Sequence, residues 1–476
     1  MTCHPPRLLR WRSSTGFIIA TVWTSFFTDY FLYAMIVPVM PTALVDRASI
    51  PYEDREFWVS ILLMCEAAVA FLCCPVFGYL LDVAPTRQLP YLLGLIFLGA
   101  SMVLLALAHT IALFIVARLL QGAATAMVAV AGLALLTDSV PASNLGQTIG
   151  YLGSAVALGF LLGPLLGGLV YQVAGYHAVF AIAFAMVGID LLMRMVVVEK
   201  AVANRWMQQA QSFSPALDAG FTSSDNLVQQ QQQQPLPDQS TRRSAPAAPN
   251  TSPSQKKLAI LAIISQPRVL VSSAALLVHG LLYSAFDATI PIFVESRFGW
   301  STFGASMAFL PSALTALLQP YFGHLTDKHG PRPIATISFS LLTIPLLCLR
   351  LVTNHNTAHI ILLLTLLTAI GLLINLCTPA LYVETQQVLD AMEEEAVAAT
   401  AAAEEEPARR VAPTPPPKGT SAPVAQAFGI QTMAQFLGLF LGPLWGGFVE
   451  WRFGWAVMTG SLAGLTGVEL VVFLGA

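Results

Sequence analysis

Long apolar runs, separated by short polar breaks, recur along almost the whole chain. A helix needs about 20 apolar residues to cross a bilayer. Only helices and closed barrels satisfy all backbone polar groups in lipid, and these runs are too long for barrel strands. The pattern predicts an all-α membrane protein with twelve transmembrane helices. The predicted segments are 17–40, 58–80, 90–109, 111–137, 147–171, 178–197, 268–292, 302–323, 334–352, 358–383, 425–448 and 455–475.

Two long polar stretches interrupt this pattern and divide the chain. The stretch 199–257 is rich in Pro, Ser and Gln, and 384–423 combines acidic runs with clustered prolines. Neither stretch can build a core, so both are predicted to be disordered. The expected order is a tail at 1–16, an N-terminal six-helix bundle at 17–198, the linker, and a C-terminal six-helix bundle at 258–476 that carries the second stretch as an insertion.

Composition agrees with a membrane protein and argues against several other classes. Hydrophobic residues make up 56% of the chain and charged residues only 10%, whereas soluble proteins carry about 25% charged residues. The net charge of −3 gives no reason to expect a nucleic-acid partner. The sequence has no P-loop, nucleophile elbow, dinucleotide fingerprint or zinc-type cysteine spacing. We therefore expect neither an enzyme nor a bound metal or cofactor.

Basic residues predict the orientation in the membrane. Seventeen Lys and Arg residues fall in segments on the same side as the N-terminus, and four fall on the other side. Cytoplasmic segments carry the excess of Lys and Arg, so both termini are expected in the cytoplasm. This topology suits the plasma membrane and a vacuolar or vesicular membrane equally well.

The two halves of the chain repeat one another. The motif G-x-x-x-G-P-x-x-G-G occurs in the fifth segment at Gly159, Gly163, Pro164, Gly167 and Gly168, and in the eleventh at Gly438, Gly442, Pro443, Gly446 and Gly447. A second pair of motifs follows the second and eighth segments, with Gly78 and Asp82 matching Gly323 and Asp327. Glycines spaced by four let helices approach closely, and proline permits a bend. These features suit either a pivoting helix or static close packing.

Ionisable residues within the predicted segments are the main candidates for function, since a charge inside a bilayer is costly and usually faces a cavity or a partner. The strongest candidates are Asp29, Glu66, Arg118 and Asp287, with Gln121, Asn375 and Gln435 as neutral contacts and His279 as a weaker candidate. Asp29 lies near mid-bilayer, where it can exchange protons, pair with a substrate or serve as a structural carboxylate. Asp190 and Glu469 lie nearer the segment ends and are expected to be structural.

The repeated motifs resemble those of the major facilitator superfamily, and the R-x-x-Q-G sequence starting at Arg118 resembles its fourth-helix motif. The glycine motif of the fifth segment resembles the signature of the drug:proton antiporter branch. The resemblance implies a fold of two pseudo-symmetric six-helix bundles. It also implies that Asp82 and Arg87 form a cytoplasmic latch, mirrored by Asp327 and Arg332, and that Arg118 assists proton passage.

The first segment is similar to the opening helix of vesicular amine transporters and their fungal relatives, because Asp29 precedes a V-P-x-x-P sequence. Glu66 stands where the animal carriers have a membrane-embedded Lys, and Thr432 replaces its Asp partner. The resemblance therefore extends to proton coupling through Asp29 and Arg118, but not to monoamine specificity.

These features predict a monomeric, proton-coupled antiporter that exports small amphipathic organic molecules, with a small-molecule substrate, protons and the lipid bilayer as its partners. Excess acidic charge at Asp29, Glu66 and Asp287 favours cationic or neutral substrates. Two alternatives stay open. One is a pH-independent metabolite facilitator or importer of the same fold, and the other is a non-transporting membrane sensor that signals through its long polar loops.

Overall fold

The structure is a computed structural model that describes residues 9–84, 86–200, 202–203, 206, 265–300, 304, 307–405 and 424–475. Its regular elements are helices, numbered here in chain order. They are α1 (Leu9–Arg12), α2 (Thr15–Ile36), α3 (Met40–Ala48), α4 (Arg55–Val83), α5 (Gln88–Leu107), α6 (Ile111–Ser139), α7 (Leu145–Ala174), α8 (Tyr176–Val196), α9 (Pro267–Phe298), α10 (Leu310–Ala316), α11 (Gln319–His329), α12 (Pro331–Cys348), α13 (Thr357–Glu405), α14 (Val424–Phe453) and α15 (Trp455–Gly475).

Eleven helical segments of the described chain are long and apolar enough to cross a membrane. The all-α fold predicted from the sequence is confirmed, but the eighth predicted segment, 302–323, is not one continuous helix. It contains α10 and α11, separated by a turn, and each of these helices has a proline in its first turn, Pro311 and Pro320. Proline has no backbone N–H to donate and is favoured where a helix starts. The sequence therefore starts two short helices there, and parts of 302–323 lie outside the described residues.

The boundary predicted at residue 384 is wrong, because α13 continues through Glu405. The reason is local composition: Ala and Glu dominate residues 391–405, and both are strong helix formers. A disordered insertion had been expected over 384–423, of which 406–423 lie outside the described residues, as do most positions of the predicted linker 199–257.

Helices α2–α8 form a first bundle and α9–α15 a second. Within each bundle, the glycine-rich helix packs closely on the bundle's opening helix: α7 on α2, and α14 on α9. The two bundles meet mainly where α4 packs against α14 and α7 against α11. The end of the molecule at which α4 and α11 terminate is called the latch end below.

Candidate substrate and proton site

A cavity of about 380 Å³ lies between the two bundles. Helices α2, α4, α6 and α7 of the first bundle and α9, α10, α11, α13 and α14 of the second contribute to its lining. The lining reaches Ser60, in the second turn of α4, and so extends toward the end opposite the latch end. Its volume falls within the range of about 300–1,000 Å³ that is usual for small-molecule sites.

Asp29 projects from α2 into this cavity and is 2% exposed. One oxygen of its carboxyl group accepts a hydrogen bond of 3.1 Å from the Thr125 hydroxyl of α6. No salt-bridge partner for Asp29 is found among the described residues. A nearly buried carboxyl group that has a neutral partner and faces a cavity can bind either a proton or a cationic substrate.

Glu66 also lines the cavity, but it is already paired. Nη1 of Arg118 lies 2.8 Å from Oε2 of Glu66, and these side chains are 1% and 6% exposed. The same nitrogen donates 3.0 Å to Oε1 of Gln121, and the guanidinium carbon lies 5.8 Å from the centre of the Tyr33 ring. Arg118 therefore neutralises Glu66 from behind the cavity wall, and neither Arg118 nor Gln121 lines the cavity itself.

The second bundle supplies one carboxylate and a set of neutral polar groups. Asp287 lines the cavity and is the most exposed of its three acidic residues. Gln435 accepts 2.7 Å from the Tyr382 hydroxyl. Asn375 accepts 2.6 Å from Nε2 of Gln319 through its amide oxygen. Of the seven candidate cavity residues, the structure thus places five on one cavity: Asp29, Glu66, Asp287, Asn375 and Gln435.

Aromatic side chains cover much of the remaining wall. The ring of Phe160 on α7 lies 5.5 Å from Tyr30 and 5.9 Å from Tyr33, both on α2. It also lies 6.2 Å from Tyr283 on α9 and so connects the two bundles. The sequence analysis did not single out Phe160 or Tyr283. Tyr283 could have been found from the repeat, because it occupies the position equivalent to Tyr33.

The repeat register between the opening helices follows from the glycines that face them. Gly163 faces Phe31 and Ala34 of α2, and its counterpart Gly442 faces Leu281 and Ser284 of α9. Phe31 thus corresponds to Leu281 and Ala34 to Ser284, an offset of 250 residues in both cases. At the same spacing, the position equivalent to Asp29 is His279. His279 lines the cavity, and its Nε2 lies 2.9 Å from the Thr378 hydroxyl.

The latch end is closed by two equivalent contacts between the bundles. The carboxylate of Asp82, near the end of α4, accepts hydrogen bonds of 3.2 and 3.0 Å from the backbone amides of Ala425 and Gln426 at the start of α14. The carboxylate of Asp327 on α11 accepts 2.7 and 2.8 Å from the amides of Gly146 and Gln147 at the start of α7. A carboxylate is stabilised at a helix N-terminus by unpaired amides and the helix dipole.

Each latch arginine forms a salt bridge with an acidic residue outside the latch motifs. Arg87 lies 2.9 Å from Asp138 at the end of α6. Arg332 lies 3.0 Å from Glu384 of α13, which also contacts Arg268 at 2.7 Å. The sequence analysis identified neither Asp138 nor Glu384. It placed Glu384 in a disordered stretch, so the equivalence of Glu384 and Asp138 in the two halves was not recognised.

The glycine motifs serve close helix packing in this structure. A Cβ atom on Gly159 would lie 2.8 Å from the Phe31 amide nitrogen, and one on Gly163 would lie 2.7 Å from the Ala34 Cβ. Gly168, by contrast, has open space around it. Pro164 lies inside the unbroken helix α7, as its counterpart Pro443 lies inside α14. Pivoting of α7 stays a proposal beside this packing role.

In the other motif, Gly78 and Gly323 lie at the contacts between bundles: a Cβ on Gly78 would lie 2.7 Å from the Ala425 carbonyl oxygen.

Comparison with known proteins gives a consistent result. The family model described as "Major Facilitator Superfamily" matches residues 22–403. The chain is 30% identical to the MFS-type transporter ppzB of Metarhizium rileyi over 492 residues, covering 98% of this chain and 96% of that protein. It is 29% identical to the vesicular acetylcholine transporter of Mus musculus over 163 residues, which are 33% of this chain and 31% of that protein.

Among solved structures, the chain resembles the crystal structure of the human organic anion transporter MFSD10 (TETRAN). The TM-score is 0.65, and the alignment covers 99% of this chain and 100% of that one. Sequence identity is only 16%, so this likeness concerns the fold alone.

Proposed function

Because the chain belongs to the Major Facilitator Superfamily, we propose that it is a proton-coupled antiporter that exports small amphipathic organic molecules. The two bundles move by alternating access, with both termini in the cytoplasm of a plasma or vacuolar membrane. The substrate class comprises amine-like cations and neutral compounds with an apolar body.

The observation that carries this proposal is the charge pattern of the cavity. Three carboxylic residues, Asp29, Glu66 and Asp287, line it. Arg118 neutralises Glu66 alone, so an acidic excess faces the space where a substrate would lie. Aromatic rings beside these carboxylates can hold a cation by cation–π attraction and an apolar body by stacking. The relative in mouse is named for acetylcholine, which is itself an organic cation, and this supports the same class here.

Coupling follows from competition at Asp29. A proton and an organic cation each neutralise the carboxylate, so the site holds one or the other when it turns toward one side of the membrane. Arg118 cannot give up its proton, and it acts as a fixed charge that keeps Glu66 in place. The latch contacts of Asp82 and Asp327 stabilise the conformation closed at the latch end, and breaking both opens that side.

The test uses purified protein in liposomes with an imposed pH gradient and tetraphenylphosphonium, ethidium and acetylcholine as probes. We expect uptake that is driven by the gradient for at least one organic cation. Asp29→Asn should abolish gradient-driven uptake, whereas Glu469→Gln, which removes a carboxyl group away from the cavity, should retain it. Full gradient-driven uptake by Asp29→Asn would contradict the coupling role.

The same assay separates the alternatives. Flux of a probe at equal rates with and without the gradient would identify a facilitator. No flux of any probe, together with a cellular response that is lost on deletion of residues 199–257, would identify a sensor.

A further inference from the structure

A second group of buried ionisable residues lies inside the first bundle, away from the cavity lining. The hydroxyl of Ser25 on α2 donates 2.6 Å to Oδ1 of Asp190 on α8. Both residues are fully buried. Asp190 had been expected to be structural, but the other oxygen of its carboxylate has no hydrogen-bond partner among the described residues. Glu469 also has one carboxylate oxygen without a hydrogen-bond partner among the described residues, so the surroundings of Asp190 must distinguish the two.

Arg194 continues this group one turn further along α8. Its guanidinium carbon lies 4.1 Å from the centre of the Tyr91 ring of α5, and both side chains are fully buried. None of the three guanidinium nitrogens has a hydrogen-bond partner within the described part of the chain. Buried polar groups of this kind usually bind ordered water.

The group forms a column from the cavity to the latch end. Ser25 lies one turn before Asp29 on α2, about 6 Å along the helix axis at 1.5 Å per residue. Arg194 lies two residues before the end of α8 at Val196. Past that end, Glu199 interacts electrostatically with Arg194. The column therefore passes through the first bundle, not along the closed interface between the bundles.

Three ionisable residues interact electrostatically with Asp190. They are Asp29 on α2, Tyr91 on α5 and Arg194 on α8, the helix that also holds Asp190. Helix α7 also packs against α8, but α7 contains no charged residue.

The second bundle keeps the carboxyl group but not the column. The repeat position of Asp190 is Glu469, since both follow the glycine motif at the same spacing. Glu469 is buried, but the positions equivalent to Ser25 and Arg194 are Ala275 and Phe473. If Ser25 and Arg194 served packing alone, they would not need to occur only in the bundle that contains Asp29. Their restriction to that bundle links them to Asp29.

We propose that Asp190 is a second proton-carrying group, which passes protons between Asp29 and the latch end through Ser25. This inference rests on the proposed proton coupling. Protonated Asp29 gives its proton to a water molecule, which passes a proton to the Ser25 oxygen as the Ser25 hydroxyl proton moves to Asp190. Asp29 is left as a carboxylate, Asp190 becomes the acid, and both the water and Ser25 are unchanged. Asp190 then releases the proton to water near Glu199.

The experiment compares Asp190→Asn with Glu469→Gln in liposomes, using tetraphenylphosphonium as the probe. Asparagine can still accept the Ser25 hydrogen bond, so the fold is preserved. We expect Asp190→Asn to lower gradient-driven uptake by about 100-fold or more, the effect of losing a positioned proton-transfer group. Exchange of labelled for unlabelled probe without a gradient should stay at the wild-type rate, because it needs no net proton transfer. Glu469→Gln should leave both rates unchanged.

Two further measurements keep the inference independent of this variant and this probe. Ser25→Ala should reproduce the loss of gradient-driven uptake, and Ser25→Thr, which keeps the hydroxyl, should restore it. Acid-minus-alkaline infrared difference spectra of the wild-type protein should contain a carboxylic acid band that Asp190→Asn removes and Glu469→Gln does not.

Gradient-driven uptake at the wild-type rate by Asp190→Asn, or infrared spectra unchanged by it, would overturn the role of Asp190. If Asp29→Asn still abolished coupling, the proposed function would stand without it. Wild-type protein that is indifferent to the gradient would instead contradict the proposed function, while the infrared spectra would still report on Asp190.

Discussion

The two bundles share their closing contacts but differ in the ionisable groups around the cavity. In each bundle, an aspartate near the end of one helix caps the start of a helix in the other bundle. The aspartate is Asp82 in the first bundle and Asp327 in the second. Each also has an arginine that binds an acidic residue nearby. The geometry of closure is thus duplicated with the fold, as expected if both halves contribute equally to alternating access.

The ionisable groups near the cavity differ sharply between the halves. His279 occupies the position of Asp29. Taking Glu384 as the counterpart of Asp138, the position of Arg118 is filled by Leu364. A buried charge is costly, so it is kept where a partner stabilises it or where function needs it. A charge that occurs in only one half therefore indicates a task that the other half does not perform. Under the proposed proton coupling, proton handling belongs to the first bundle, while the second bundle supplies Asp287 and the neutral polar contacts.

The largest expected effect comes from breaking the Glu66–Arg118 ion pair. Arg118→Met leaves a buried carboxylate without its cation, which should cost about 3–5 kcal/mol in the free energy of unfolding. Denaturant unfolding of the purified protein in detergent measures this change. Leu364→Met, at the equivalent position of the second bundle, should cost less than about 1.5 kcal/mol because it conserves volume.

The double variant sharpens this test. Glu66→Met with Arg118→Met removes both charges, so it should recover most of the stability lost in the single variant. If the double variant were as unstable as Arg118→Met alone, the ion pair would not be the source of the loss.

The next effect distinguishes the two glycine interfaces. A Cβ on Gly167 would collide with the Met35 carbonyl oxygen, whereas the nearest atoms to one on Gly446 are the Cβ, Cα and carbonyl oxygen of Ala285, at 3.0–3.1 Å. The overlap at Gly167 is deeper, so Gly167→Ala should cost about 1–3 kcal/mol and Gly446→Ala less. Thermal unfolding in detergent measures both. Gly168→Ala is the control: this position has open space, and alanine favours the helix by about 0.5–1 kcal/mol. Equal losses for Gly167→Ala and Gly168→Ala would exclude close packing as the cause.

The sequence was sufficient for the features that depend on local composition and on the repeat. Apolar length predicted most of the membrane helices, and position inside these segments marked Asp29, Glu66 and Asp287 as candidates for a cavity. It was insufficient where tertiary contacts decide. The sequence does not tell that Arg118 points toward Glu66 and away from the cavity, because the helix face depends on the neighbouring helices. Asp138, the partner of Arg87, was missed for the same reason, whereas Glu384, the partner of Arg332, was missed because the sequence placed it in a disordered stretch.

A smaller effect separates the two latch contacts. The hydrogen bonds to Asp327 are shorter than those to Asp82, so Asp327→Ala should shift the population away from the closed state more than Asp82→Ala. A helix-terminal carboxylate contributes about 1 kcal/mol, which corresponds to about a fivefold shift. Distances between spin labels on the two bundles at the latch end report the populations. Glu53→Ala, on an exposed turn before α4, should leave them unchanged. Identical shifts for both aspartates would mean that the contacts are energetically equivalent.

The smallest effect tests whether His279 can be converted into a second Asp29. His279→Asp places a carboxyl group on the wall of the second bundle, and we expect the affinity for tetraphenylphosphonium to rise by about two- to threefold, or roughly 0.5 kcal/mol. Coulombic attraction is the cause, so His279→Asn should give no gain, and a neutral probe of similar size should bind both variants as it binds wild type. Equilibrium binding of labelled probe measures all three proteins. The proton dependence of transport should still follow Asp29, because His279→Asp supplies no counterpart to Ser25 and Arg194. A gain that also appears with the neutral probe would instead point to a change in cavity shape, and charge would then not be what separates the two bundles.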